Sequence, residues 1–559
     1  MLYIRYLEKI IRIVNEGNYA LALVLFAFII VTLIEIAGAS GIGLYVSVIS
    51  GQLDGLRHLP FEIIFDGNGN IKVLLGFLLI GIFIVKNISS YCLKIWIAGF
   101  GIKKQAELRK TLLTGYLRLS SKQIDSIKTD QIINIILNYT SVFAMSVVVA
   151  VLTLLSETLT VIGLSLYLLY VNPYAVLISI LILGFVALAY DLVFKKALTV
   201  AGKVCNEKSA NIIEEVSYAI KGLKEIKILG REDYFVKRAA VHIDEIMRYM
   251  VIDNDIKLLP KYFYEIIIII MVVSIVIYHE IFIPGENYIF TLGVFAAAGL
   301  RLMPSVTQIT RSINILRSSN VVVETLNENL QFTKAVRHNE ADFNANDNED
   351  VTQENRSFEL LVLRDIKFRY DNKTGWIFHG MNFQIKNGEC IAVVGKSGSG
   401  KTTLVNLILG LLEPNQGEVY VQSDEATRPL ADFKDQFAYI PQENFLLNDT
   451  IKTNIALGVD EGCVDSVRLQ EAIAFANIDF LGEHGVEYII GEGGKRLSGG
   501  QRQRVSLARA FYHQRQIIVL DEVSSAMDRN TEQQIVDAIS SLRGKITFII
   551  ITHSEEMLR

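Results

Sequence analysis

At 559 residues the chain is too long for one hydrophobic core, and at about 100 to 200 residues per domain it should divide at least once. It is 51% hydrophobic with a mean hydropathy of +0.36, and the excess lies almost entirely before Gln331, so a membrane part is expected ahead of a soluble one. The net charge of -5, with no Lys/Arg block unmatched by acids, argues against a nucleic-acid partner. The scattered Cys92, Cys205, Cys390 and Cys463 form no CxxC pair, which argues against a zinc site or a disulfide framework; they read as reduced packing residues.

Residues 1–18, MLYIRYLEKIIRIVNEGN, alternate charged and apolar side chains at helical spacing and lack a small-residue cleavage site. That pattern predicts an amphipathic helix on the cytoplasmic membrane face and not a signal peptide. Apolar runs of about 20 residues, enough to cross a bilayer, begin near Tyr19, Val73, Val142, Tyr174, Phe263 and Tyr288. Six spans are therefore expected within residues 19–330.

The connections divide by charge. Ile102 to Asp130 holds seven Lys/Arg and Lys195 to Lys261 holds thirteen, whereas Gly51 to Asn70 and His279 to Tyr288 together hold only Arg57. The positive-inside bias then puts the N-terminus and both long loops in the cytoplasm. Their helical pattern, as in SANIIEEVSYAIKGLKEIKILGRED, predicts two hairpins that carry the membrane helices past the lipid. Glu35, Glu157, Glu265 and Arg301 fall inside spans, where a charge costs about 2.5 to 3.5 kcal/mol on insertion scales. They either line a polar cavity or pair with one another or lie near the interface. Residues 331–357, rich in Asn and Glu, read as a polar linker.

From Phe358 short β-rich runs alternate with helices, the pattern of a soluble α/β domain over 358–559. CIAVVGKSGSGKTTLVNLILGLL is a buried strand, a glycine loop and an amphipathic helix, and GKSGSGKT matches GxxxxGK(S/T) in full. Gly395, Lys396, Ser397, Gly398, Ser399, Gly400, Lys401, Thr402 and Thr403 are thus the candidate phosphate cradle. Its backbone amides turn inward, Lys401 reaches the β and γ phosphates, and the Thr402 hydroxyl is placed for magnesium. IIVLDE is a second buried strand ending in Asp521, a candidate magnesium ligand, and Glu522, a candidate base for an attacking water.

GGKRLSGGQRQRVSLARAFY followed by IIVLDEVSSAMD resembles the nucleotide-binding domain of ATP-binding-cassette (ABC) proteins, in which LSGGQ is the signature motif. The resemblance implies ATP and Mg2+ as ligands and a head-to-tail pair of nucleotide domains. Each ATP is then held by one P-loop and by Ser498, Gly499, Gly500 and Gln501 of the other copy. It further implies that Tyr370 stacks on adenine, that Gln442 reaches magnesium and the water, and that His553 holds the γ phosphate. Glu492, in YIIGEGG, corresponds to the loop facing the membrane hairpins, and Ser525 to Asp528 to the loop crossing the dimer interface. VSSAMD stands where ATSALD is commoner, and Ser554 where Arg is frequent; neither change removes a catalytic group.

Six spans ahead of one such domain resembles a type IV ABC exporter half-transporter over essentially the whole chain. The expected architecture is an all-α six-helix transmembrane domain joined to an α/β P-loop nucleotide-binding domain. In that family the hairpins end in coupling helices, here at SKQIDSIKTD and EEVSYAIKG, and two copies are required; intact catalytic positions favour a homodimer in the cytoplasmic (inner) membrane. LIEIAGASGIGLYVSVIS and IPQENFLLNDTIKTNIALG are similar to bacterial flippases for lipid-linked oligosaccharides, which implies an amphipathic, lipid-linked substrate. A lipid A, peptide or drug exporter is the alternative, and an ATP-gated channel or regulatory subunit the alternative of another class.

Overall fold

The computed structural model describes residues 10, 13, 18–50, 70–125, 127–171, 173–282, 289–344, 358–370, 375–396, 398–423, 427–482, 485–522 and 529–552. The chain forms two compact units, one of residues 1–119 and 126–347, the other of 120–125 and 348–559.

The first unit is helical. Its long elements are α1 (Asn18–Ile49), α2 (Asn70–Leu117), α4 (Thr129–Val171), α5 (Pro173–Lys221), α7 (Glu232–Phe282) and α8 (Ile289–Ser318). These six helices match the six expected spans in order. Among the described residues, Val24–Ile49, Lys72–Leu117, Thr129–Val171 and Thr291–Ser318 are long and apolar enough to cross a membrane. The expected fourth and fifth spans fall on α5 and α7. At 1.5 Å per residue, the 48 residues of α2 run about 72 Å, more than twice a hydrocarbon core of about 30 Å. Phe77, Leu78, Ile80, Ile84 and Val85 leave most of one α2 stretch apolar and uncovered, a surface that suits lipid and not water.

Small residues set the closest helix approach. A Cβ on Gly43 of α1 would stand 2.2 Å from Val294 Cγ2 on α8, and one on Gly293 would stand 3.3 Å from the Gly43 Cα, so the two backbones cross at a pair of glycines. Pro260 and Pro304 lie inside α7 and α8, and two π-helical segments, Ile135–Tyr139 and Phe143–Val148, interrupt α4.

Four expectations shift. Of the N-terminal helix only Ile10 and Ile13 are among the described residues; both are helical and buried with Leu112, Tyr116 and Leu326, so that face packs on protein. The polar linker begins later: residues 331–344 continue helix α9 (Asn320–Asn344), because polar composition does not oppose a helix once Leu330 and Thr333 are packed at its start. EEVSYAIKG forms the last turns of α5. The short helix at that hairpin tip is α6 (Leu223–Leu229), set off by Gly222 and by left-handed Gly230 at φ 60°. SKQID does form its own short helix, α3 (Ser121–Asp125), and belongs to the second unit. The cysteines are unpaired as expected, yet Cys92, Cys390 and Cys463 are exposed and not packed.

The second unit is built on two sheets. The antiparallel one runs β2 (Phe378–Lys386), β1 (Leu360–Phe368), β4 (Gln416–Gln422), β5 (Thr427–Pro429). The parallel one runs β3 (Cys390–Val393), β8 (Thr547–Ile551), β7 (Ile517–Asp521), β6 (Phe437–Ile440). Every residue of β7 and β8 is buried, as expected of parallel strands covered on both faces. Ile518, Leu520, Phe548 and Ile550 enter one core and Ile517, Val519, Ile549 and Ile551 the other, so alternate side chains divide between the two faces.

Candidate functional site

The register of the parallel sheet brings the motifs together. Val393 pairs with Ile551, Ile551 with Asp521, and Leu520 with Ile440. The carboxyl ends of four strands therefore coincide. There the P-loop leaves β3, Thr552 follows β8, Glu522 follows β7, and Gln442 lies two residues past β6. Ligands of open α/β sheets bind in the crevice outside these ends.

The glycine loop runs from β3 into α10 (Lys401–Ile408). Gly398 and Gly400 take φ 79° and 92°, which L side chains rarely adopt. A Cβ on Gly400 would also stand 2.8 Å from Ile377 Cγ2, and one on Gly395 would stand 2.8 Å from Ser399 Oγ. Added side chains would thus fill the concavity, which is the fit that close backbone approach to phosphates requires. Lys401 Nζ donates to Gly395 O at 2.7 Å and Lys396 O at 3.2 Å, holding the ammonium inside the turn. Thr402 is exposed and Thr403 buried; the Tyr370 and Thr403 hydroxyls lie 3.2 Å apart, and Phe368 meets the Tyr370 ring edge-on with centroids 5.2 Å apart. Tyr370, 48% exposed, is thereby tied to the phosphate-loop helix while half open to solvent.

The strand-end acids differ in environment. Asp521 is buried; desolvation pushes its carboxyl above the usual range and the neighbouring Glu522 adds to this, against a hydrogen bond donated by Tyr439 at 3.2 Å and the Lys401 charge. The Tyr439 hydroxyl is pushed up in turn, chiefly by burial and then by Asp521. Glu522 holds φ 51°, an uncommon backbone state for a non-glycine residue, and its amide donates to Ile551 O at 3.0 Å. Gln442 Nε2 donates to Glu522 Oε2 at 2.8 Å. Oxygen donors on the sheet end suit magnesium, which keeps several waters and phosphate oxygens and needs only one or two protein ligands.

Because the folded state favours protonated Asp521, its contribution to stability is complete below the ordinary carboxylate value, about 3.9, and lost as pH rises through the raised folded value. At neutral pH the nucleotide-free Asp521→Asn chain is expected to melt above the parent, with the gap closing on acidification, while magnesium-supported nucleotide binding is lost. Thermal melts across pH, with and without nucleotide, measure both; a variant that melts below the parent at pH 7 overturns the sign.

LSGGQ has a local function that residue identity alone did not reveal. Ser498 caps α11 (Gly499–Tyr512): its Oγ accepts from the Gln501 amide at 3.2 Å, and its own amide donates to Gln501 Oε1 at 2.8 Å. Ser-x-x-Gln is the capping-box spacing, so the pattern was readable in the sequence. Arg509, also unpredicted, reaches from this helix to Asn454 O at 2.8 Å and Phe445 O at 3.0 Å, tying it to the segment after Gln442. Burial lowers its pKa. Glu492 is exposed and pairs with Lys495 at 2.8 Å. Ser397, Ser525 to Asp528 and His553 lie outside the described residues.

In the membrane unit Glu35 and Glu157 both pair with Arg301, whereas Glu265 is half-buried and 3.9 Å from Lys261. Three of the four intramembrane charges therefore follow the pairing alternative.

The family model described as ABC transporter matches residues 378–525, and that described as ABC transporter transmembrane region matches residues 21–279. An ATP-dependent lipid A-core flippase of Alkalilimnicola ehrlichii is 27% identical over 490 residues, covering 84% of this chain and 79% of the relative. One of Pseudoalteromonas atlantica is 28% identical over 512 residues, covering 88% and 83%. The solved structure of a bacterial Atm1-family ABC exporter with ATP bound superposes with a TM-score of 0.73 over 96% of this chain and 92% of the other, at 18% identity, and so shares the fold. With its membrane helices and its ATPase domain both matched, the chain belongs to the ABC transporter family, as a multi-pass membrane protein whose ATP hydrolysis is coupled to transport.

Proposed function

We propose that two copies of this chain form an exporter of the cytoplasmic membrane that flips an amphipathic, lipid-linked substrate outward by alternating access. The observation that carries the ATP-driven part is the alignment of four strand ends, which brings Gly395, Lys396, Gly398 to Thr403, Asp521, Glu522 and Gln442 to one edge of the sheet.

In this reading the loop amides and Lys401 bind the β and γ phosphates, Tyr370 stacks on the base, and Glu522 accepts the proton of the attacking water. Gln442, bonded to Glu522 Oε2, orients that carboxylate. A magnesium ion held by Thr402, Asp521 and Gln442 would neutralise charge on the phosphate oxygens. His553 holds the γ phosphate. Ser498, Gly499, Gly500 and Gln501 meet the partner copy's nucleotide, and ATP therefore closes the two domains. α3 and α6 pass that closure to the spans, the nucleotide domain lying on the cytoplasmic side. Ligand binding that favours one of two states supplies the bias.

Support for a lipid substrate comes from the membrane surface. A groove of about 470 Å³ between α1 and α4 is lined by Ile29, Leu33, Ile36, Leu159, Leu166 and Tyr167 among others, a lining suited to a hydrocarbon chain. The sequence strings favour a lipid-linked oligosaccharide, and the names of the relatives favour a lipid A-type glycolipid. Proteoliposomes carrying each glycolipid with a fluorescent tag discriminate: ATP should move one of them to the opposite leaflet, and ATP hydrolysis without movement of either would refute the lipid reading.

The cap at Ser498 provides a test of the dimer. Asp caps a helix about as well as Ser, so Ser498→Asp should keep the fold. It also sets a carboxylate against the partner's phosphates, where like charges cost several kcal/mol. Nucleotide binding by one chain's P-loop should persist while hydrolysis drops at least about tenfold; normal hydrolysis would exclude a trans role for this turn.

A further inference from the structure

Five side chains on four membrane helices meet at one point. Arg301 Nη2 lies 3.2 Å from Glu157 Oε2, Arg301 Nη1 donates to Ser305 Oγ at 2.9 Å, and Ser305 Oγ donates to Glu157 Oε2 at 2.7 Å. This half, between α8 and α4, is closed by directed hydrogen bonds. Glu35 of α1 lies 2.8 Å from Arg301 Nε and 2.9 Å from Lys86 Nζ of α2. Those two contacts are close ion pairs without aligned hydrogen bonds at Glu35 Oε2 or Arg301 Nε, although the Glu35 side chain is only 2% exposed.

Two carboxylates and two cations make the cluster neutral as a whole. Among its ion pairs, only the Glu35–Arg301 contact can part and leave both sides neutral, Lys86 with Glu35 and Arg301 with Glu157. Parting at Lys86–Glu35 or at Arg301–Glu157 would leave a net charge on each side, held in a low-dielectric interior where it is strongly disfavoured. The contact that can part without charge separation lacks an aligned hydrogen bond, as Lys86–Glu35 also does, whereas α8 and α4 stay joined by the bond from Ser305 to Glu157.

We propose that this cluster is a parting joint, at which α1 with α2 separates from α4 with α8 at Glu35–Arg301 during each transport cycle. Lys86 and Glu157 are positioning residues that keep each half neutral while apart. The inference rests on the alternating-access reading above. It assigns Lys86 and Ser305, which sequence reading did not single out, to the moving machinery.

Two paired neutralisations of the full chain in lipid test it. Glu35→Gln with Lys86→Met removes one neutral half, so ATP turnover should stay within about twofold of the parent. Glu35→Gln with Arg301→Met leaves Lys86 and Glu157 each alone once the halves part, and turnover should fall at least about tenfold. A static clamp is neutral overall in both variants and predicts equal rates; that result overturns the proposal. A crosslink arm is independent of charge. With the four native cysteines replaced by serine, oxidised Thr32→Cys/Thr160→Cys spans the seam where the two hydroxyls lie 3.4 Å apart. Oxidised Gly41→Cys/Leu79→Cys sits within the α1–α2 half, where a Gly41 Cβ would stand 2.9 Å from Leu79. The first should stop turnover until reductant is added and the second should not; turnover through the first also overturns the joint. Absence of ATP-driven transport in the unaltered chain would instead remove the reading beneath it.

Discussion

Glu522→Gln is expected to cut ATP hydrolysis by about 10²- to 10⁴-fold, the usual contribution of a positioned general base, while leaving ATP affinity within a few-fold. The substitution is nearly isosteric. It keeps an oxygen to accept from Gln442 Nε2, which now lies 2.8 Å from Oε2, and it leaves the backbone bond from residue 522 to Ile551 O in place. What it removes is basicity alone. The positive φ at this position is already met by the surrounding strand ends, so a change of the side-chain head should not disturb the fold. The measurements are phosphate release at saturating ATP and retention of labelled ATP on the purified dimer. Sustained turnover with normal affinity would assign the base elsewhere. The ATP-gated channel reading separates on the parent chain: a channel or regulatory subunit needs no sustained hydrolysis, whereas a pump does.

How much of this was legible in the sequence depended on the range over which each feature is specified. The P-loop and the strand-end acids are local, because the backbone states of Gly398 and Gly400 and the buried run from Ile517 to Asp521 are encoded within a few neighbours. Their convergence is not local. It follows from a strand order in which β8 and β7 lie between β3 and β6, and nothing near Gln442 announces that Tyr439, three residues earlier, will donate to Asp521. The same holds in the membrane. Charges at 35, 157 and 301 were visible, but which helix faces meet is a pairing of segments more than a hundred residues apart, so Lys86 near the polar end of its run and Ser305 drew no notice. Composition misled at residues 331–344, which continue a helix, and the family resemblance set the hairpin-tip helix at EEVSYAIKG, whereas it begins only after Gly222.

Lys401→Ala should weaken nucleotide binding at least about 100-fold, equivalent to about 2.7 kcal/mol, and abolish turnover with it. An ammonium bonded to charged phosphates contributes about 1.5 to 3 kcal/mol per hydrogen bond, more than the same group gains from neutral carbonyls. Without nucleotide, Lys401 Nζ donates to Gly395 O and Lys396 O, two loop carbonyls that are at the domain surface and can turn to water instead. The nucleotide-free variant should therefore melt within a few degrees of the parent, whereas the added stability that ATP gives the parent, which grows with the ratio of ligand to dissociation constant, should vanish. That split separates a phosphate ligand from a structural brace: a large loss of melting temperature before ATP is added, with affinity unchanged, would make Lys401 a loop support. Lys401→Arg sharpens the distinction. It keeps the charge, but the forked guanidinium is too large for a turn in which even an added Cβ at Gly395 or Gly400 meets atoms at 2.8 Å, so binding should stay weak although the charge is restored.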